Sequence, residues 1–298
     1  MKIILTGASG FLGKYIYNEL CSNNQLITVS RSNADINADL AKEIPNLYSA
    51  DLVIHCAGKA HSVPKNEQEK AAFFDVNFNG TLNLLKGLEK TRNFPHSFVF
   101  ISTVAVYGRD KGILITEEQT LQSEEAYGQS KIQAEKLVHE WCQRYHVICT
   151  ILRLPLLVGE NPPGNLGAMI KGIKRGYYFN IAGGKAKKSM VLAADVAKII
   201  PIVATIGGIY NLTDGIHPSF AELSDVIKNH LGKKKVMNLP FWLANIFAAI
   251  GGLIGEKAPI NTRKLFKITS DLTFDDSKAK NTLCWKPNPV LDGLVIRK

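Results

Sequence analysis

Thr103, Tyr127 and Lys131 are the residues of this chain whose types and spacing could move a proton. Tyr127 and Lys131 stand four residues apart in YGQSK, which puts both on one face of a helix. A free phenol has a pKa near ~10 and is a poor base at neutral pH. A cation one helical turn away stabilises the phenolate and lowers that pKa. Thr103 ends the apolar run FVFIST, where its hydroxyl could bond a reacting oxygen. Tyr127 would then take a proton as an alcohol is oxidised, or give one as a ketone is reduced. A tyrosine and a lysine at this spacing occur in many helices, so the reading depends on the elements that hold them.

Those elements start at residue 1. MKIILT is a short apolar strand, and Gly7-Ala-Ser-Gly10-Phe11-Leu12-Gly13 turns it into a helix. A helix start offers open N–H groups and partial positive charge, and so binds anions. Gly7 allows the turn, Gly10 lets backbone approach a pyrophosphate, and Gly13 lets the helix lie close to the strand. Leu12, Ile16 and Leu20 repeat at helical spacing. Further strands are expected at Leu26–Ser30, Asp51–Cys56, Ser97–Ser102 and Val147–Leu154. Helices are expected at Leu12–Cys21, Asn66–Arg92 and Glu124–Tyr145. Apolar strands alternating with helices imply a doubly wound, parallel α/β sheet of Rossmann type. Ligands of such sheets bind at the carboxyl ends of the strands.

After Gly159 the pattern changes. Glu160–Gly164 reads as a loop, Leu166–Arg175 and Val191–Thr205 as helices, the latter opening near Asp195, and Gly208–Leu212 as a strand. Residues 1–160 plus 191–215 are expected to form the dinucleotide-binding domain. Residues 161–190 plus 216–298 are expected to form a smaller α/β substrate lobe. The five cysteines, at 21, 56, 142, 149 and 284, make no C-x-x-C pair. The histidines lack metal-ligand spacing, so no metal is expected, and a reducing cytoplasm fits. No leader pattern precedes the first strand.

The net charge of +10 fits a basic enzyme of phosphorylated substrates. The one tight basic run, Lys233-Lys-Lys235, has no aromatic interleaving, so nucleic acid is not expected. Residues 241–255, FWLANIFAAIGGLIG, are apolar but fall short of the ~20 needed to span a bilayer. A packed helix after Pro240 is expected, with membrane-surface contact the lesser reading.

In a dinucleotide fold, an acid ending the second strand binds the ribose 2′-OH of NAD, whereas an Arg accommodates the 2′-phosphate of NADP. Here that strand ends Ser30-Arg31-Ser32, with no acid before Asp35. NADP(H) is therefore favoured, with NAD(H) the alternative.

TGASGFLG, ADLVIHCAG (50–58), VNFNGT (76–81), STVAVYG (102–108), YGQSK, ILRLPLLVGEN (151–161) and LTFDDSKAKNTLCWKP (272–287) together resemble the NAD(P)-dependent epimerase/dehydratase family of extended short-chain dehydrogenases/reductases. The resemblance runs nearly end to end. It implies that Ala57, Gly58 and Pro155 line the cofactor and that Asp39 and Leu40 meet adenine. It implies roles for Thr103, Tyr127 and Lys131 in catalysis, with Lys131 also holding the nicotinamide ribose. Most of that family acts on nucleotide-diphosphate sugars.

The sugar 4,6-dehydratases of the family carry an Asp-Glu pair after the active-site Thr. This chain has Val104 and Ala105 there, which cannot do that chemistry. Residues 163–191 resemble a subgroup of UDP-linked 4-keto reductases and UDP-N-acetylhexosamine 4-epimerases. By that likeness Asn165 and Lys188, with Lys187 and Ser189 nearby, would meet the substrate. Reduction of a 4-keto UDP-sugar is expected first, 4-epimerisation with bound NAD second, and a non-catalytic NADP-binding sensor or scaffold third. Ala71, Phe74, Phe78 and Leu82 form a stripe that could pack on the sheet or join two subunits, and a homodimer is expected.

Overall fold

Ile3, Ile4 and Leu5 are wholly buried, because helices cover both faces of the strand that carries them. The computed structural model describes residues 1–60, 64–91, 93–254 and 260–296. Strand β1 (Lys2–Thr6) leads through the glycine turn into α1 (Phe11–Leu20). Then come β2 (Gln25–Ser30), β3 (Ile36–Asn37) and β4 (Leu52–His55). Helix α2 (Glu67–Phe74), a π-helical turn (Asp75–Asn79) and α3 (Gly80–Lys90) lead to β5 (Ser97–Thr103).

The single helix expected over 66–92 is thus interrupted. The π turn admits an extra residue and brings Asn77 inward, where it is 1% exposed. Arg92, the expected end, lies outside the described residues.

A 3₁₀ turn (Val104–Tyr107), β6 (Gly112–Ile115) and α4 (Ala126–Arg144) precede β7 (Ile148–Leu154), β8 (Leu156–Val158) and α5 (Gly164–Arg175). Next are β9 (Phe179–Ile181), β10 (Met190–Leu192), α6 (Ala193–Ile206) and β11 (Gly208–Asn211). Val191 is not helical as expected. It pairs with Leu157 of β8, which satisfies its backbone in a buried strand. The chain ends through α7 (Phe220–His230), β12 (Met237–Leu239), α8 (Phe241–Ile254), α9 (Thr262–Thr269), β13 (Leu272–Phe274), α10 (Ser277–Leu283) and α11 (Val290–Gly293). Gly255, the expected end of the helix after Pro240, lies outside the described residues.

Seven parallel strands make the central sheet in the order β11-β7-β5-β4-β1-β2-β3. On one face Ile16 and Leu20 of α1 meet Val196 and Ile200 of α6. On the other, Leu84 and Leu88 of α3 meet Ala134 and Val138 of α4. This is the doubly wound α/β architecture. Helices α5 and α7 share a separate core with β8 and β10, around Leu166, Met169, Leu223 and Ile227. The stripe Phe74, Phe78 and Leu82 stays only half-buried and Ala71 is exposed, so these residues do not fill the sheet-facing core.

Register aligns the strand ends. Thr6 pairs with Val29 and His55, and Thr103 pairs with Leu154. Thr103 is itself one of these ends, and the glycine turn, Arg31, Ala57, Gly58 and Pro155 follow the others.

Candidate active site

The glycine turn is shaped by close approach. Gly7 has φ +72°, and a Cβ there would lie 2.6 Å from the Ala57 nitrogen. A Cβ on Gly13 would lie 2.0 Å from the Gly7 carbonyl oxygen, so α1 rests on the turn itself. Gly10 donates its N–H to that same carbonyl at 2.9 Å. No side chain caps α1, and its backbone bonding begins with Lys14 N–H to Gly10 O at 3.1 Å. Among the described residues the N–H groups of Phe11, Leu12 and Gly13 therefore remain open at the sheet's carboxyl edge. Such a start suits a pyrophosphate. The close-fitting turn and the open donors fit a dinucleotide.

Beside it, the end of β4 is fixed by a buried polar chain. Ala57 donates its N–H to Thr6 Oγ1 at 3.1 Å. Thr6 Oγ1 lies 2.7 Å from His55 Nδ1, and His55 Nε2 lies 2.9 Å from Thr81 Oγ1. Thr81 gives its proton to the Asn77 carbonyl at 2.6 Å. Thr81 must then accept from His55 Nε2–H, which leaves Nδ1 to accept from Thr6. Burial, with Lys131 adding, pushes the His55 pKa down to about 3, so the ring stays neutral. Asn77 accepts from Lys59 N–H at 2.7 Å and donates to the Lys59 carbonyl at 3.1 Å and to Ser130 Oγ at 2.9 Å. The motif around Asn77 was legible in the sequence. The roles of His55, Thr81 and Ser130 were not, because they depend on register and on the π turn.

Thr103, Tyr127 and Lys131 converge where β5 ends and α4 begins. Thr103 accepts from Ala105 N–H at 3.2 Å, which orients its hydroxyl. The Tyr127 ring lies 5.9 Å from Phe73, centroid to centroid. Lys131 is buried and donates to the Ile101 carbonyl at 2.7 Å, with its ammonium 4.4 Å from the Phe100 ring centre. A Cβ on Gly58 would come within 3.5 Å of Lys131 Nζ.

The expected lowering of the Tyr127 phenol by Lys131 is not found. Burial raises the phenol, and a hydrogen bond with Thr103 offsets this only in part. Lys131 is itself lowered to about 8, chiefly by burial. Its charge is thus lost as pH rises through about 8. Binding of an anionic dinucleotide is expected to weaken across that pH, with a flatter profile in Lys131→Arg, whose charge persists. Fluorescence titration from acid to alkaline pH checks this. A flat wild-type profile would contradict it.

Residues 3–212 match the NAD dependent epimerase/dehydratase family. The chain belongs to that family.

Two relatives cover most of the chain. One is the UDP-glucose 4-epimerase of Vibrio cholerae, 26% identical over 97% of this chain and 92% of its own length. The other is the N-acetyl-alpha-D-glucosaminyl-diphospho-ditrans,octacis-undecaprenol 4-epimerase of Escherichia coli O157:H7, 24% identical over 98% and 93%. The UDP-glucose 4-epimerase of Thermotoga maritima, solved with UDP-glucose, has the same fold. Its TM-score is 0.76 at 21% identity, covering 98% of this chain and 96% of that one.

The other expected site residues fall in different places. Arg31 is exposed just past β2. Asp35, the next acid, is occupied: it accepts from Thr28 N–H at 2.8 Å and Thr28 Oγ1–H at 2.7 Å. Those bonds lower its pKa. Asp39 turns to Ala41 N–H at 3.3 Å, and Leu40 is buried against α3. Pro155 is half-buried and next to Leu154, the partner of Thr103. Asn165 is exposed in the first turn of α5, which no side chain caps.

Lys188 has a structural partner set. Its ammonium donates to the carbonyls of Lys267 and Ser270, at 2.8 and 2.9 Å, and so closes the end of α9. Burial lowers it to about 8. Ser189 is also engaged, donating or accepting with His217 Nδ1 at 2.9 Å and accepting from Phe274 N–H at 2.8 Å. Of Lys187, Lys188 and Ser189, Lys187 alone is exposed.

One further buried cluster escaped the sequence reading. Glu135, one turn beyond Lys131, pairs with Arg153 of β7 at 2.8 Å, and each is 4% exposed. Ser102, the neighbour of Thr103, donates to the same carboxylate. Arg153 also donates to Tyr107 at 3.2 Å, and Tyr107 donates to Asn211 Oδ1 at 2.7 Å. These bonds tie α4 to β5, β7 and β11 directly beneath the candidate site.

Proposed function

We propose that the chain is an NAD(P)-dependent oxidoreductase that reduces the 4-keto group of a UDP-linked sugar, using NADPH. The observation that carries this reading is the meeting of Thr103, Tyr127 and Lys131 beside the open start of α1. Bound nicotinamide supplies the hydride. The N–H groups opening α1 hold the diphosphate of the cofactor, and Gly58 leaves room for Lys131 to hold the ribose. Thr103 orients the substrate carbonyl, and Tyr127 delivers the proton to the developing alkoxide oxygen.

Two features support the reductive direction. A buried phenol with a raised pKa is protonated at neutral pH, ready to act as an acid. Arg31 stands where a 2′-phosphate would be received, and the acid that follows is engaged by Thr28. Residues 161–190 plus 216–298 would form the lobe that receives the sugar, with Asn165 placed to meet its diphosphate. The half-open stripe Phe74, Phe78 and Leu82 suits a homodimer.

A second reading, UDP-sugar 4-epimerisation with retained NAD, is favoured by the whole-length likeness to the Vibrio cholerae enzyme. One experiment separates the two. The nucleotide released from purified protein is identified, and NADPH or NADH is then added with a 4-keto UDP-sugar while absorbance is followed. Stoichiometric oxidation with NADPH preferred is the expected result. Retained NAD, no net oxidation and interconversion of UDP-N-acetylhexosamines would replace the reductase with the epimerase.

A further inference from the structure

Helix α8 carries no charged residue and is apolar on nearly every side. Such a helix is normally enclosed. Here only its small-residue face is. Ala244 and Ala248 are buried against Leu265 of α9, and the opposite face is open. Around the rest of the helix Phe241 is 52% exposed, Trp242 66%, Ile246 49%, Phe247 48% and Ile250 54%. Its most exposed side chains are large and its two buried alanines are small, the reverse of a helix built only to fill a core. A contiguous apolar patch of this kind marks an interaction surface.

The approach to the helix is basic. Lys233, Lys234 and Lys235 are all exposed, and only Val236, β12 and Pro240 separate them from Phe241. Aromatic side chains at the start of an apolar helix, next to lysines, match the order of groups across a lipid headgroup layer. The charge argues for one partner: an anionic bilayer attracts these lysines.

We propose that α8 is a membrane-interface helix that seats the chain on an anionic lipid surface. Its 14 residues reach about 21 Å at the usual rise, short of the ~30 Å hydrocarbon layer, so it lies along the surface. No helix among the described residues is long and apolar enough to cross a membrane.

The seat is close to the candidate site. α8 packs on α9, and α9 is tied to the start of α4. Lys267 reaches Glu125 at 2.7 Å and Asp110 at 3.0 Å, and Arg263 reaches Glu125 at 3.3 Å. Glu125 immediately precedes α4, the helix that carries Tyr127. Docking through α8 therefore bears, through α9, on the start of the helix that carries Tyr127.

The chain contains its own reporter. Of the three tryptophans, Trp141 and Trp285 are each 4% exposed, and Trp242 is the exposed one. Vesicles of phosphatidylglycerol and phosphatidylcholine, and of phosphatidylcholine alone, are mixed with the full chain. Co-sedimentation and a blue shift of Trp emission are expected with the anionic vesicles, weaker at high salt. Replacing Lys233, Lys234 and Lys235 together by Gln is expected to weaken partitioning on the order of 100-fold. Phe247→Ser with Ile250→Ser is expected to abolish it while NADPH binding is unchanged. Because both side chains are exposed, the fold should hold, and the Lys→Gln variant supplies an independent reading if it does not. Three results would overturn the proposal: no sedimentation and no blue shift with anionic vesicles, equal binding by the variants, or a vesicle-free dimer that the Phe247 and Ile250 changes dissociate. The last would assign the face to a second copy of the chain.

Discussion

Tyr127→Phe is expected to remove turnover while leaving dinucleotide binding near its wild-type strength. The phenyl ring is retained, so contact with Phe73 and the seating of α4 are retained. Only the hydroxyl goes, and with it the proton that the substrate oxygen must receive. A positioned proton donor typically contributes 10²–10⁴-fold, so kcat should fall by roughly that factor. The paired measurement is steady-state kcat and fluorescence titration with NADPH. Loss of both would mean that Tyr127 supports the fold, and loss of neither would mean that Tyr127 is not the proton donor; wild-type protein that binds NADPH and turns nothing over would instead be a sensor or scaffold. Thr103→Val sharpens the result. It removes the one bond that lowers the Tyr127 phenol, so any residual activity should lose rate without losing cofactor affinity.

What the sequence discloses follows from the range of the forces involved. The glycine turn is local: its spacing and flanking strand are continuous in the chain, so Gly7, Gly10 and Gly13 can be read directly. The Tyr127–Lys131 spacing is also local, set by one helical turn. Lys131's electrostatic role was not legible, because its ammonium turns to Ile101 on a neighbouring strand and its pKa is governed by burial. Lys188 sits in a substrate-like motif, yet its partners are carbonyls of Lys267 and Ser270, brought to it only by the fold. The interruption at Asp75–Asn79 was hidden for a similar reason. Phe74, Phe78 and Leu82 keep an unbroken helical spacing, while the π turn goes with the Asn77 amide reaching Lys59 and Ser130, contacts that the spacing does not show. The apolar run at 241–254 was readable as a helix. That half of it would stay open depends on how small the residues of its other face are.

The largest stability effect should come from Glu135 and Arg153, which no motif announces. Burial alone would pull the Arg153 guanidinium down, but the Glu135 bonds and charge outweigh it and raise it. The carboxylate accepts from Arg153 and from Ser102, so its lone pairs are well supplied. Removing one partner strands the other charge away from water. Glu135→Gln or Arg153→Met is therefore expected to cost about 3–5 kcal/mol. Urea unfolding followed by the buried Trp141 and Trp285 reads this directly. The double change Glu135→Gln with Arg153→Met should cost less than the two single changes added together, because neither charge is then left alone. The effect should also reach the site. Glu135 raises Lys131 against the lowering by burial, so Glu135→Gln should move the pH at which dinucleotide binding weakens below about 8. Single variants with wild-type unfolding midpoints would show that water reaches the pair. A lowered midpoint with an unmoved binding profile would confine the pair to holding α4 against β5 and β7, and would free Lys131 from its influence.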